Sequence, residues 1–334
     1  MRNNLYNKIL IIRTGAIGDV VHTTCLYRAI KKAYPDIKIH YLTSELIKPL
    51  IIEDPDIEKV ITINPKFKLF SSYTLKKSEE LKKEKYNLVI NLQPSFKIKG
   101  LIFLSGIKKQ LIYKKDFKLH AVTNFFKTAI KAFPEIKEEK KLKLYLPEAS
   151  IKKAKEKLKE YNHPLIVFNA GGVFSKRQGR TYPVDKWLQL GEKIQEKYNG
   201  TILLTGAEED KDFLSPLNKI KNSVNYIGEL PLVDSCAVIS QADLMISGDS
   251  GPLHIATALN VFSIGLFGSM PANRTGCFSS GINIVSSKEC VPCNRRKCKY
   301  LNDNPSKIYA PCMEEIGIET ILEQIRSGCN LKEN

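Results

Sequence analysis

No apolar run in this 334-residue chain approaches the roughly 20 residues that a bilayer-spanning helix requires. The start, Met1 to Ile12, passes straight into an apolar strand pattern, without a signal-peptide core or a small-residue cleavage site. The expectation is a soluble, cytoplasmic protein. No internal repeat and no long low-complexity segment is visible, and the dinucleotide-binding spacing G-x-G-x-x-G is missing. Net charge is missing from the second half, where residues 163 to 334 carry 18 Lys and Arg against 18 Asp and Glu. Residues 1 to 162 carry 34 against 17, so the whole excess of +17 lies there. A face with that excess attracts phosphates, anionic lipid headgroups or nucleic acid. Lysines decorating solvated helices give the same count, but a chain-wide bias of that kind would also have made the second half basic.

What is there is a chain long enough, at 43% hydrophobic residues, for two ordinary domain cores. Ile9 to Ile12 is β-branched and unalternating, as in a strand covered on both faces. It runs into the turn Arg13-Thr14-Gly15-Ala16-Ile17-Gly18-Asp19 and then a helix from about Val20 to Ala33. Strands at 37–42, 60–63 and 88–92 follow, with helical character toward the end of 64–85. A charged connecting helix, 147–161, precedes Pro164, after which the alternation restarts: strand 165–168, helix 184–198, strand 201–204, helix 209–220, a strand containing 244–246, strand 263–268 and a final helix 313–327. This alternation predicts α/β units with parallel sheets covered on both faces. The domains expected are 1–160, 161–312 and a C-terminal helix and tail 313–334, with the first two facing a shared cleft.

Between the apolar run Ala242 to Ser247 and a helical pattern from Ile255 stands Asp249-Ser250-Gly251-Pro252-Leu253-His254. Asp249 or Ser250 can cap the helix, Gly251 lets a ligand approach, and Pro252 at the first helical position loses nothing by lacking an N–H. The unpaired N–H groups and the positive end of the helix dipole then face an anion such as phosphate. Gly15 and Gly18 give the first turn the same openness. Because ligands of open α/β sheets sit beyond the carboxyl ends of strands, one turn is expected to carry chemistry and the other to hold phosphate.

Of eight cysteines, four crowd into Cys290-x2-Cys293-x4-Cys298-x13-Cys312. In a cytosolic chain such clustering suggests tetrahedral zinc or an iron–sulfur cluster before disulfides, and the spacing does not choose between the two metals or against reduced structural thiols. Cys25, Cys236, Cys277 and Cys329 are scattered.

The strings I-L-I-I-R-T-G-A-I-G-D-V-V-H-T-T with a following R-A-I-K-K-A-Y-P, and G-D-S-G-P-L-H-I-A-T-A-L through I-G-L-F-G-S, resemble the heptosyltransferases of glycosyltransferase family 9 over nearly the whole chain. The C-x-P-C-x4-C element is similar to one in the branch that adds the second heptose, although Cys298 to Cys312 is a longer interval than in that branch. The resemblance implies a GT-B architecture of two Rossmann-like domains, and inverting transfer from ADP-heptose to an anionic lipopolysaccharide precursor at the inner face of the cytoplasmic membrane. It also implies that catalysis needs no cofactor. Carried onto this sequence, it makes Asp19 the general base and Arg180 the cation that stabilises the departing diphosphate, with Lys176 and Arg177 as substitutes in the same loop. Glu208 would accept from ribose hydroxyls, Asp249 would contact donor sugar hydroxyls, and Ser250, Gly251 and His254 would lie at the diphosphate. Gly15, Gly18 and His22 would face the acceptor. Plainer roles compete: Asp19 as a helix cap, Arg180 as a solvated turn residue, Glu208 as first-turn charge, and both histidines as packing. Two other functions stay open, a nucleotide-sugar transferase with a different sugar or acceptor and a catalytically dead member kept for binding. A nucleic-acid-binding protein with a Cys-metal site, suggested by Asn294-Arg295-Arg296-Lys297, is disfavoured by the neutral second half, and no nucleic acid is expected.

Overall fold

The computed structural model describes residues 6–139, 141–171, 179–295, 297–329 and 331. Two compact units form, residues 1–145 and 146–334. Unit 1 alternates β1 (Lys8–Ile12), α1 (Ile17–Ala33), β2 (Lys38–Thr43), β3 (Lys59–Thr62), α2 (Ser72–Lys83), β4 (Leu88–Asn91), α3 (Phe96–Leu104), β5 (Gln110–Ile112) and α4 (Ala121–Ala129). Its five strands are parallel in the order β3-β2-β1-β4-β5. Ile9 to Ile12 are wholly buried because helices cover both faces of β1. On one face Leu10 and Ile12 meet Leu42, Val89, Ile98 and Leu101 in a single apolar cluster.

Unit 2 contains α5 (Glu148–Leu158), β6 (Leu165–Asn169), α6 (Val184–Tyr198), β7 (Thr201–Thr205), α7 (Lys211–Leu214), β8 (Ser223–Asn225), α8 (Leu232–Ile239), β9 (Leu244–Gly248), α9 (Gly251–Ala258), β10 (Phe262–Phe267), α10 (Ala272–Thr275), β11 (Ile282–Val285), α11 (Lys299–Asp303), α12 (Pro311–Glu315) and α13 (Ile318–Gly328). Six parallel strands run in the order β11-β10-β9-β6-β7-β8. The core centres on Trp187, whose ring lies 4.8 Å from Phe168 and 5.4 Å from Tyr182 between centroids.

Three expected boundaries differ in the structure. The charged helix α5 belongs to unit 2, where it packs on α8 and Lys153 pairs with Asp234 at 2.7 Å, so the units divide at 145/146 where the sequence suggests 160/161. The expected helix 209–220 is a chain of short pieces, a 3-10 turn Glu208–Asp210, then α7, then a 3-10 turn Ser215–Lys219 with Pro216 in its first turn. Proline lacks the N–H that a continuous helix would need. The final helix is two, because Gly317 adopts extended backbone and starts α13 afresh. Ile321, Leu322 and Ile325 of α13 join the unit 2 core, so this helix is part of that unit and no separate appendage. Among the described residues no helix is long and apolar enough to cross a membrane.

Candidate active site

Each sheet reverses its strand order once, and open α/β sheets take their ligands beyond the carboxyl ends of the two strands that flank such a reversal. In unit 1 those strands are β1 and β4, and the turn after β1 carries Arg13 and Asp19. Asp19 stands in the first turn of α1, but Ala16 occupies the cap position and makes no side-chain capping bond. The Asp19 carboxylate is instead paired through Oδ2 with Arg13 Nη2, and Arg13 Nη1 donates to the Leu92 carbonyl at 2.5 Å, tying the β1 turn to the end of β4. Arg13 also lies over the Phe125 ring of α4 at 5.9 Å. A guanidinium held by a carbonyl and an aromatic face fixes the direction of the carboxylate it grips. Arg13 escapes sequence reasoning because only the folded sheet brings the end of β4 beside it.

The glycines of this turn behave differently from each other. A Cβ at Gly15 would meet nothing within 4 Å, so open space stands over the turn, whereas Gly18 is buried at the start of α1. His22 does not face that space: it is 1% exposed, with its ring edge-on to His120 at 5.1 Å. The expected acceptor contact for His22 is replaced by packing between α1 and α4, because position 22 falls on the inner side of α1.

Beyond β5, at the same edge of the sheet, a cavity of about 510 Å³ is lined by Lys114, Lys115, Lys118, Lys127 and Lys131. The one acid among the described lining residues, Asp116, pairs with Lys127 at 3.2 Å. The Lys118 N–H donates to the Asp116 carboxylate, and with Lys127 holds that carboxyl below its usual range.

In unit 2 the reversal lies between β6 and β9. Ser250 caps α9, its Oγ accepting from the Leu253 N–H at 3.5 Å; Gly251 opens the helix and Pro252 follows. Asn169 at the end of β6 donates through Nδ2 to both Ser247 and Ser250 hydroxyls at 3.2 Å, and the two hydroxyls lie 2.8 Å apart. This buried chain fixes the cap in place. Arg180 Nη1 reaches Asp249 Oδ2 at 3.3 Å, and the Arg180 carbonyl stands 3.2 Å from where a Gly248 Cβ would be. The structure thus brings Arg180, Asp249, Ser250 and Gly251 together. His254, one turn further, is buried. Lys176 and Arg177 lie outside the described residues.

Glu208 follows β7, one strand further along this edge. It pairs with Lys211 at 3.2 Å, and Lys211 also holds Glu229 at 2.9 Å. The chain closes over it at Gly228, whose φ of +67° suits glycine and whose Cβ would stand 2.6 Å from Glu208 Oε2. Asp210 is buried below, accepting from the Ala207 N–H at 3.2 Å. Asn169, Ser247 and Asp210 are not legible in the sequence as site residues. Their place follows from strand order, which spacing alone does not reveal.

Two of the four clustered cysteines, Cys298 and Cys312, lie against Gly179 beside Arg180. Among the described residues no group of three or more His, Cys, Asp or Glu is disposed to hold a metal ion, so the expected zinc or iron–sulfur site finds no support. Burial pushes the Cys312 thiol up to about 11, with Cys290, Cys298 and Cys293 adding in the same direction. Cys298 and Ala310 instead close on Gly179, whose φ is +68° and whose Cβ would stand 3.0 Å from the Ala310 Cβ and 3.3 Å from the Cys298 Cβ. Tyr182 Oη donates to the Ile316 carbonyl at 3.1 Å. The cysteine segment and α12 therefore brace the strand of chain that carries Arg180.

Residues 74–303 match the family model described as glycosyltransferase family 9 (heptosyltransferase). The chain is 25% identical over 286 residues to lipooligosaccharide heptosyltransferase 2 of Haemophilus ducreyi, covering 76% of this chain and 80% of that protein. A family 9 glycosyltransferase structure from Veillonella parvula superposes with a TM-score of 0.78 at 17% identity, covering 96% of this chain and 97% of the other. The structure of the E. coli ADP-heptose lps heptosyltransferase II does so with a TM-score of 0.75 at 19% identity, covering 96% and 98%. Two Rossmann-like units, each with its own parallel sheet, are the GT-B arrangement that these folds share.

Proposed function

The chain belongs to glycosyltransferase family 9 and is a glycosyltransferase, and from that premise we propose that it moves heptose from ADP-heptose to an inner-core lipopolysaccharide acceptor, as the second-heptose branch does. One observation carries this reading: each sheet presents a glycine-bearing turn at its reversal, one with an oriented carboxylate and the other with a capped helix start beside an arginine.

In this mechanism an acceptor hydroxyl oxygen attacks the anomeric carbon of the heptose while Asp19 takes the hydroxyl proton. The bond from that carbon to the diphosphate oxygen breaks, ADP leaves with the electron pair, and the anomeric configuration inverts. Arg13, gripping Oδ2, leaves the second carboxylate oxygen to receive the proton. Charge collecting on the diphosphate is met by Arg180 and by the N–H groups opening α9, so the step draws on no metal or cofactor. Asp249 and Glu208 supply acceptors for the hydroxyls of the donor sugar and ribose. Gly15 keeps the acceptor side of the Asp19 turn open, while Gly18 packs at the start of α1. The five-lysine cavity beyond β5 supports an anionic acceptor, and the basic unit 1 supports a peripheral location at the inner face of the cytoplasmic membrane.

Mass spectrometry of products after incubation with truncated core lipids and a panel of nucleotide sugars tests the donor. Transfer from ADP-heptose in preference to uridine-linked sugars is expected. Preference for a uridine sugar would replace the heptose assignment with another nucleotide-sugar transferase.

A further inference from the structure

Three phenylalanines of unit 1 stand almost wholly in solvent: Phe70 is 81% exposed, Phe96 78% and Phe103 82%. A phenylalanine normally carries one of the largest apolar burials in a fold, so three left out on neighbouring elements need a reason. Phe96 and Phe103 are seven residues apart on α3 and share one helical face, opposite Ile98, Leu101 and Ile102, which enter the core. Phe70 stands on the segment that follows β3, next to Leu69, which packs on α3 at Gly100. A Cβ at Gly100 would stand 2.6 Å from both δ carbons of Leu69, so Leu69 lies flat on α3 between the turns that carry Phe96 and Phe103.

This segment is held in place. Ser71 and Thr74 hydroxyls both donate to the Lys68 carbonyl, at 2.8 and 2.7 Å, and Phe67 is buried beneath with the Lys97 ammonium over its ring at 5.8 Å. Phe70 is therefore displayed by an ordered turn. Along the two segments that carry the three rings the charge has one sign. Lys66, Lys68, Lys97 and Lys99 are exposed, and none forms an ion pair among the described residues. No Asp or Glu occurs between Glu58 and Glu79, or between Glu84 and Asp116.

Exposed aromatic rings on segments whose charged residues are all lysines complement a surface that is apolar beneath and anionic on top. We propose that Phe70, Phe96 and Phe103, with Lys66, Lys68, Lys97 and Lys99, form a docking surface for an anionic phospholipid bilayer. The rings enter the acyl boundary and the ammonium groups meet phosphates. Phe96 starts α3 just past Leu92, whose carbonyl holds Arg13, so the surface begins at the edge of the sheet that bears Asp19. The inference extends the proposed lipid-linked acceptor: a bilayer docked there presents that acceptor to the same edge.

The test is co-sedimentation of the full-length protein, without donor, with phosphatidylethanolamine vesicles that contain or lack phosphatidylglycerol. A soluble, deacylated acceptor assay run alongside reads transfer separately. Binding should require phosphatidylglycerol and fall with salt. It should weaken by about tenfold for each of Phe70→Ala, Phe96→Ala and Phe103→Ala. Lys97→Gln with Lys99→Gln should weaken it as well. Thermal unfolding and turnover of the deacylated acceptor should not change in these variants, since none of the seven residues touches Asp19. Equal vesicle binding by the triple variant and the parent would overturn the proposal. So would a parent dimer that becomes monomeric in the triple variant, because a second copy would then be what covers the rings. Failure of transfer to the deacylated acceptor by the parent, with vesicle binding intact, would count against the transferase reading and leave the docking surface standing.

Discussion

At the scale of single residues the account rests on two arginines that do different work. Arg13 touches the Asp19 carboxylate, the proposed general base, and the β4 end together, so its effect is on direction. Replacing it with lysine keeps a charge but loses the fork that grips carboxylate and carbonyl together. Arg13→Lys is expected to lower the transfer rate by about 10²-fold, the cost of misplacing a reacting group by about an ångström, with ADP affinity unchanged in calorimetry. In the proposed mechanism Arg180 acts on the leaving group. Arg180→Ala should reduce kcat by about 10²- to 10³-fold, read by steady-state kinetics, because one charge-stabilising donor is removed from the transition state. Asp19 and Arg180 are proposed for these roles from the strings around them. Arg13 is not legible there, although it stands in the same string, because its function depends on the end of β4 lying next to β1. His22 misleads for the converse reason: nearness in sequence to Asp19 puts it one turn along the helix but on the buried side.

At the scale of elements, the same contrast separates strands from what joins them. β1, β4, β6 and β9 read correctly from their apolar runs because a strand buried on both faces leaves no other choice of residues. The short strands β5, β8 and β11 carry weaker patterns, since edge and near-edge positions tolerate polar residues such as Gln110, Ser223 and Asn283. Helix breaks at Pro216 and Gly317 are written in the sequence in plain turn chemistry, yet the apolar periodicity on either side conceals them. One bracing contact gives a test at this scale. Gly179→Ala places a Cβ in left-handed backbone against Ala310 and Cys298, a strain of about 1–3 kcal/mol. The expected outcome is a lower Tm together with weaker ADP binding, since the displaced chain carries Arg180. A second test concerns β1 and β3, which are joined through Glu84. Hydrogen bonds from Lys59 and Lys8 hold its carboxyl down from 4.5 to about 2. A depressed carboxyl stabilises the fold above its unfolded value and loses that contribution as pH falls from about 4.5 toward 2. Glu84→Gln should therefore cost about 1 kcal/mol at neutral pH, discounted for solvent screening, and nothing at the acid end, as read by urea unfolding across that range.

At the scale of the whole molecule, charge divides as the fold does. Unit 1 holds 29 Lys and Arg against 14 Asp and Glu, and unit 2 holds 23 against 21. The asymmetry is plain from the sequence, but its boundary is not: α5 is as lysine-rich as unit 1 and reads as its continuation, while its packing on α8 assigns it to unit 2. Unit 1 is accordingly the half whose interactions with an anionic acceptor should weaken steeply with salt, whereas ADP binding by the nearly neutral unit 2 should not. The most direct measurement compares the parent protein with Asp19→Asn, each incubated with ADP-heptose and a truncated core acceptor, following the mass and anomeric configuration of the product. The parent should add one heptose with inversion, and the variant should bind ADP equally well while transferring about 10²- to 10⁴-fold more slowly. Equal turnover by the two proteins would remove Asp19 from the reaction and contradict the account.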